Sequence, residues 1–194
     1  LSQMKRDMMA EVAATLAFST IANNDKVGVI FFSDKIEKYI PAQKGKTHVL
    51  HIIRELLSFE PNSKGTDMAQ ALQYFANAQK RHCTAFLISD FIGAGAVDKP
   101  LLIASNRHEV NAIQIYDRRE AELPNIGLVK FHDAESDKDL WIDTSLATVR
   151  DDYAQAWKQN QDLLEQLFTR TGVNHISVRT DEDYVKALMH LFRC

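Results

Sequence analysis

Cysteine is scarce: Cys83 and Cys194 are the only two in 194 residues. They have no metal-ligand spacing and form no disulfide framework, which excludes a stapled secreted scaffold or a cysteine-built zinc centre and fits a reducing compartment. A long apolar run is missing too, since no stretch approaches the ~20 residues that span a bilayer. No signal-peptide layout is present. Basic excess is absent: 23 Lys and Arg stand against 26 Asp and Glu, for a net charge of -3. That argues against a nucleic-acid-binding surface. No P-loop, glycine-rich dinucleotide fingerprint or Ser-His-Asp order occurs. The seven histidines are scattered without ligand spacing and read as surface or local structural groups. No repeat, low-complexity tract or linker composition divides the chain.

What is there is an ordinary globular composition, 45% hydrophobic and 25% charged. The length suits one α/β domain over residues 1–194. The chain opens at Leu1 directly into a helical pattern, which reads as a piece of something longer. Leu1, Met4, Met8, Val12 and Leu16, widened by Met9, Ala13, Phe18 and Ile21, predict a helix to about Ala22. A buried strand follows over 26–32, and Gly28 within it suggests close approach of a helix. Ile36 to Ile40 reads as a polar edge strand stopped by Pro41. Lys46 to Phe59 is an amphipathic helix with Val49, Ile53, Leu56 and Leu57 inward. A polar loop leads to Thr66, a good helix N-cap. The helix carrying Met68, Leu72, Phe75 and Ala76 comes next. Strand 84–89, a short helix over 101–106 and strand 110–116 complete a layered α/β pattern with right-handed crossovers. Residues 118–144 form a charged connection and an inserted β-hairpin. A long helix from about Ser145 ends at Gly172, with Tyr153 and Trp157 on its core face. Trp141 on the hairpin is expected to pack against it. A last strand (173–178) and helix (183–192) close the chain.

The stretch that draws attention is Phe86-Leu87-Ile88-Ser89-Asp90-Phe91. An apolar run without alternation predicts a parallel strand buried on both faces, and ligands of such sheets sit beyond the strand ends. Asp90 stands at that place. Thr66 and Asp90 together offer a hydroxyl and a carboxylate, the oxygen ligands a hard cation such as Mg²⁺ requires. A carboxylate that merely caps the next helix is the plainer alternative for Asp90. Asp34 reads first as a turn-former and then as a support for the site. Asp67 reads as a favourable charge in a helix's first turn. Ser89 either orients Asp90 or satisfies backbone groups. Asp117 ends a strand at the same rim.

Several segments resemble the bacterial family called domain of unknown function fifty-eight, whose members contain a von Willebrand factor A-like domain. They are Asn24 to Asp34, Lys44 to Leu50, Lys64 to Met68, Phe86 to Phe91, Tyr116 to Glu120 with Glu122-Leu123-Pro124, and Thr180 to Tyr184. The resemblance implies a three-layer Rossmann-like fold, with a mostly parallel sheet and an antiparallel edge strand. It also implies a metal-ion-dependent adhesion site in which Thr66 looks like the loop threonine and Asp90 like the strand-terminal aspartate, with Asp34, Asp67 and Ser89 as possible supports. The D-x-S-x-S segment of that site is absent from this chain, as is the central first strand that precedes it in the family. Mg²⁺ or another divalent cation is therefore expected in the intact protein and none on this stretch alone. The missing strand predicts that the gap is closed by the chain's own strands or by a strand-exchanged oligomer.

The resemblance further implies a bacterial cytoplasmic protein-protein interaction module, not an enzyme. Its partner would be a MoxR-type AAA+ ATPase or that ATPase's client, and its role an adaptor in complex assembly or maturation. Neither nucleic acid nor membrane contact is expected. The competing expectation is a Mg²⁺-dependent hydrolase or phosphotransferase using Asp90, which would also need a nucleophile, a base or a second metal.

Overall fold

Strands form where short β-rich runs are bounded by turn residues, and helices where apolar positions recur at helical spacing. The computed structural model describes residues 2–63, 65–93, 95–133 and 138–191. Cys194 lies outside the described residues, as do Lys64 and the tip of the hairpin turn. In chain order the elements are α1 (Ser2–Asn23), β1 (Val27–Phe32), β2 (Ile36–Gln43), α2 (Lys46–Ser58), α3 (Met68–Ala78), β3 (Thr84–Ser89) and α4 (Asp98–Ser105). There follow β4 (Glu109–Tyr116), α5 (Arg118–Ala121), β5 (Leu128–Asp133), β6 (Lys138–Asp143), α6 (Ala147–Thr171), β7 (Asn174–Arg179) and α7 (Tyr184–Leu191).

The main sheet is parallel, in the order β3-β4-β7. Helices cover both of its faces. On one, Val12 and Leu16 of α1 and Leu188 and Leu191 of α7 pack on Ile113, Ile115 and Val178. On the other, α3, α4 and α6 bring Leu72, Leu101, Ala104 and Phe168 onto Val110 and Ala112. An antiparallel pair, β1-β2, forms a separate sheet, and β5-β6 is the inserted hairpin. The chain is thus a mixed α/β protein with a mostly parallel main sheet.

Burial along the strands departs from expectation in a telling way. β4 is buried through Tyr116's neighbour Ile115, whereas β3 is only half-buried over Ala85 to Ile88. β4 has a strand on each side; β3 is paired with β4 alone, and β1 with β2 alone, among the described residues. The chain's own strands therefore do not close the gap between β1 and β3. Each keeps one edge of backbone donors and acceptors without a strand partner.

Other elements differ in detail. Gly28 faces a strand, not a helix: a Cβ there would lie 2.7 Å from the Ile40 carbonyl oxygen and 2.8 Å from the Ala42 nitrogen. β2 also runs through Pro41 to Gln43. An edge strand tolerates the missing amide, and the register shifts between Val27 and Val29 beside it. In α1, Ala10 and Ala17 are inside while Met4 and Phe18 are exposed; in α2, Ile52 is inside and Leu57 outside. α4 starts three residues earlier than expected, with Pro100 in its first turn, where no amide is needed. Trp141 does not pack against α6 as expected; it stands 61% exposed on the hairpin. Tyr153 and Trp157 are half-buried, Trp157 lying 5.2 Å from the Tyr116 ring.

Because the obstruction at Gly28 is backbone, it cannot be relieved by a rotamer change. Gly28→Val should lower unfolding free energy by about 1–3 kcal/mol, read as a lower urea midpoint; an unchanged midpoint would show that β1 and β2 can separate freely.

Candidate functional site

Asp90 owes its position to the way β3 ends. Phe91, the next residue, has φ 57°, the left-handed region that bulky residues rarely enter. It is nonetheless 2% exposed, and its ring meets Phe168 edge-on at 5.3 Å. Burial of that aromatic ring offsets the backbone strain. Two local bonds hold the turn: the Phe91 amide donates to Ser89 Oγ at 3.1 Å, and the Ile92 amide to Asp90 Oδ1 at 3.2 Å. Ser89, buried, therefore serves a backbone amide and shapes the turn after Asp90. Gln114 of β4 donates to the Asp90 carbonyl at 3.3 Å and accepts from Ser177 of β7 at 2.8 Å, which ties the turn to both neighbouring strands.

The second loop is built differently from expectation. The N-cap of α3 is Asp67, whose Oδ1 accepts from the Gln70 amide at 2.8 Å. Thr66 is not the cap; it precedes it, and its side chain is exposed. This loop leans on the β1–β2 turn. The Asp67 amide donates to the Ser33 carbonyl at 2.8 Å, and a Cβ at Gly65 would lie 3.3 Å from that of Asp34. Asp34 is thus an exposed turn residue packed under the Gly65 backbone. Glu37, which sequence reading passed over, pins the loop from below: it accepts from the Asn62 amide at 3.1 Å, from Asn62 Nδ2 at 2.7 Å and from Ser33 Oγ at 2.7 Å. Those bonds, Asn62's first, hold the Glu37 carboxyl below its ordinary range.

Met68 and Phe91 share one core cluster, so the Thr66 and Asp90 loops rise at the same rim of the molecule. No hydrogen bond joins them among the described residues. The partner Asp90 does have is Lys5 of α1, whose Nζ lies 2.8 Å from Asp90 Oδ2 and 2.5 Å from Glu120 Oε1. Burial works against the Lys5 charge, but the bonds to Asp90 and Glu120 outweigh it and raise its pKa. Nothing in the spacing of the sequence signalled this contact, which spans 85 positions. Asp117, the other strand-terminal aspartate, is buried: it accepts from the Arg119 amide at 2.8 Å and from Thr180 Oγ1 at 3.2 Å, and forms a capping box with Glu120.

As arranged, these residues do not fit a divalent cation. Asp90 is engaged by an ammonium group and an amide. No group of three or more His, Cys, Asp and Glu side chains able to hold a metal occurs among the described residues. A nucleophilic pair does not serve the rim either. Cys83 Sγ lies 3.6 Å from His108 Nδ1, but at the entrance of β3, the opposite end of the strand from Asp90. Burial pushes the Cys83 thiol up and the His108 imidazole down, so both are neutral at pH 7 and no thiolate is prepared.

Residues 1–163 match the family described as protein of unknown function DUF58. The chain belongs to this family. The match stops inside α6, yet β7 is paired to β4 in the main sheet, so the folded unit of this DUF58 protein extends past the matched residues. Uncharacterized proteins of Mycobacterium bovis and Mycobacterium tuberculosis are 30% identical over 185 residues, 93% of this chain and 57% of theirs. The chain thus spans just over half the length of those relatives. A Mycobacterium avium protein, also uncharacterized, is 30% identical over 79% of this chain and 92% of its own. Among solved structures, an aerotolerance-related membrane protein from Bacteroides fragilis aligns with a TM-score of 0.59, and the conserved hypothetical protein BatB from Bacteroides thetaiotaomicron with 0.53. Each is 16% identical, over 95% of this chain and 86% of that one, which is a likeness of fold.

The assignment of the cap separates two neighbouring residues. Asp67→Ala should lower stability by about 1 kcal/mol, while Thr66→Ala should leave it within about 0.5 kcal/mol, both read from urea unfolding. Equal losses would restore Thr66 to the cap.

Proposed function

We propose that this DUF58 chain is a protein-protein interaction module of the von Willebrand factor A type, and that it binds its partner at the rim carrying Asp90 and Thr66. The observation that carries this reading is the rim itself. A strand-terminal carboxylate is held on a strained, core-anchored turn and stays partly accessible, beside a threonine loop braced by Glu37. A buried turn that presents a polar group to solvent is how a rigid scaffold positions contact residues. Exposed Ile92 beside Asp90 adds apolar surface to the same contact. The family resemblance makes the partner a MoxR-type AAA+ ATPase or its client, with the module as adaptor in complex assembly or maturation in the cytoplasm. In the intact protein a Mg²⁺ at this rim would call on Thr66 and Asp90 only if other oxygen ligands joined them. The open edges of β1 and β3 add a second contact mode, strand exchange with another copy.

No helix among the described residues is long and apolar enough to cross a membrane.

The test is calorimetric titration of the protein against the MoxR-type ATPase of the same organism, with and without Mg²⁺. Asp90→Ala and Thr66→Ala should each weaken binding by about tenfold, as central contact residues do. Binding unaffected by both variants would remove the rim from the interface. Turnover of generic phosphate esters that disappears in Asp90→Ala would establish the hydrolase or phosphotransferase reading instead. Light scattering checks the edges: a dimer supports strand exchange, and a monomer at all concentrations ends it.

A further inference from the structure

Lys5 is out of place for a lysine on a helix. Such side chains ordinarily keep their ammonium group in water. Here the side chain is 13% exposed and its Nζ is lodged between Asp90 Oδ2, at 2.8 Å, and Glu120 Oε1, at 2.5 Å. Ordering a long side chain and desolvating its charge are both unfavourable, and two charge-assisted hydrogen bonds offset them. Both acceptors are prepared. Asp90 Oδ1 is taken by the Ile92 amide, which turns Oδ2 toward Lys5. Glu120 Oε2 accepts from the Asp117 amide at 3.1 Å, which fixes Oε1. The Asp117 end of this chain is itself anchored by Thr180. Three elements remote in sequence, α1, the end of β3 and α5, thus meet on one nitrogen.

This geometry conflicts with a divalent ion at Asp90. A hard cation needs that carboxylate's free oxygen, and an ammonium group already bonded to it both occupies the oxygen and repels the ion. We propose that Lys5 is a tethered counter-cation that closes Asp90 to divalent ions, so that a metal can bind at the rim only when the first turns of α1 release it. Glu120 is the positioning residue that holds Lys5 there. The inference rests on the reading of Asp90 as a cation ligand given under the proposed function. It also explains how the module is silenced. Two carboxylates and one ammonium leave the centre with a net negative charge, which repels an acidic partner. A divalent ion in place of Lys5 would reverse that sign.

Mn²⁺ binding, measured by calorimetry and by loss of the free-ion electron paramagnetic resonance signal, tests this without reference to any activity. Lys5→Met should bind Mn²⁺ at least about tenfold more tightly than wild type. Lys5→Arg, which keeps the charge, should stay as weak as wild type. Glu120→Gln, which loosens Lys5 without removing it, should show a smaller gain and guards against a folding defect in Lys5→Met; circular dichroism melts accompany each variant. Adding Asp90→Asn to Lys5→Met should abolish the gain. If Lys5→Met binds Mn²⁺ no better than wild type, or if the gain survives Asp90→Asn, the proposal is overturned. If the gain is lost with Asp90→Asn but survives Thr66→Val, the tethered counter-cation stands while the Thr66 part of the adhesion-site reading falls.

Discussion

One apolar face of α1 holds together two sheets that share no backbone hydrogen bond among the described residues. Val12 and Leu16 sit on the parallel sheet, against Ile113, Ile115 and Val178. Further along the same helix, Ala17 and Ile21 enter the cluster of β1 and α2, with Phe31, Val49 and Ile52. Ala17, not a larger residue, lies at the crossing, where the helix backbone must come close to Phe31. On the opposite face α3 repeats the arrangement, since Phe32 of β1 and Leu87 of β3 both pack on the cluster of Met68 and Leu72. Side-chain packing from two helices therefore does what a continuous ladder does in a closed sheet. Packing is tolerant of small displacements in a way that a hydrogen-bonded register is not. The relative placement of β1 and β3 is consequently the softest constraint in the molecule, and it is the one on which the Thr66 loop and the Asp90 turn depend for their separation.

The turn after β3 shows the reverse design, a local feature held far more tightly than its sequence suggests. A phenylalanine at positive φ is unfavourable, and nothing in Ser89-Asp90-Phe91 announces it. The conformation persists because the Phe91 ring is needed in the core beside Phe168, while the chain must turn out of the sheet at the same residue. Relieving the strain with glycine would remove the anchor, and keeping the anchor retains the strain. Asp90 is carried on this compromise, so its direction is fixed by a buried aromatic ring and not by its own contacts.

The element order, the helix–sheet–helix layering, the hairpin and the importance of Asp90 were all legible in the sequence, because each rests on local periodicity or on a break in it. Gly172 as a helix stop was legible for the same reason: its left-handed conformation is a property of one residue. What could not be read depends on what comes near. Gly28 signalled a close approach, but only the register of β2 decides that the neighbour is the backbone at Ile40. Thr66 and Asp67 are both acceptable caps by chemistry, and the bond from the Asp67 amide to Ser33, across to another element, places the helix start one residue later. Strand β3 carries the composition of a doubly buried strand, yet it is half-buried because burial requires a neighbour on each edge. Lys5 and Glu120 gave no signal at all, since a lysine and a glutamate on helices look like surface residues until a third element brings a carboxylate to them.

The contrast between Asp90 and Asp117 turns on this last point. Both end adjacent parallel strands, at the same rim, with the same side chain. Asp117 is followed directly by a helical turn, whose amides and capping partner, with Thr180, take up both of its oxygens and bury it at 8% exposed. Asp90 is followed by a left-handed residue and a loop, which supply one amide and leave Oδ2 over. Covalent neighbours thus convert one carboxylate into structure and leave the other with an oxygen that must find a partner elsewhere. That partner is a side chain on another element, held by two contacts of the kind that exchange when charge or geometry changes. An interaction that can be exchanged is the physical requirement for a switchable site, and of the two strand-terminal aspartates at this rim Asp90 alone meets it.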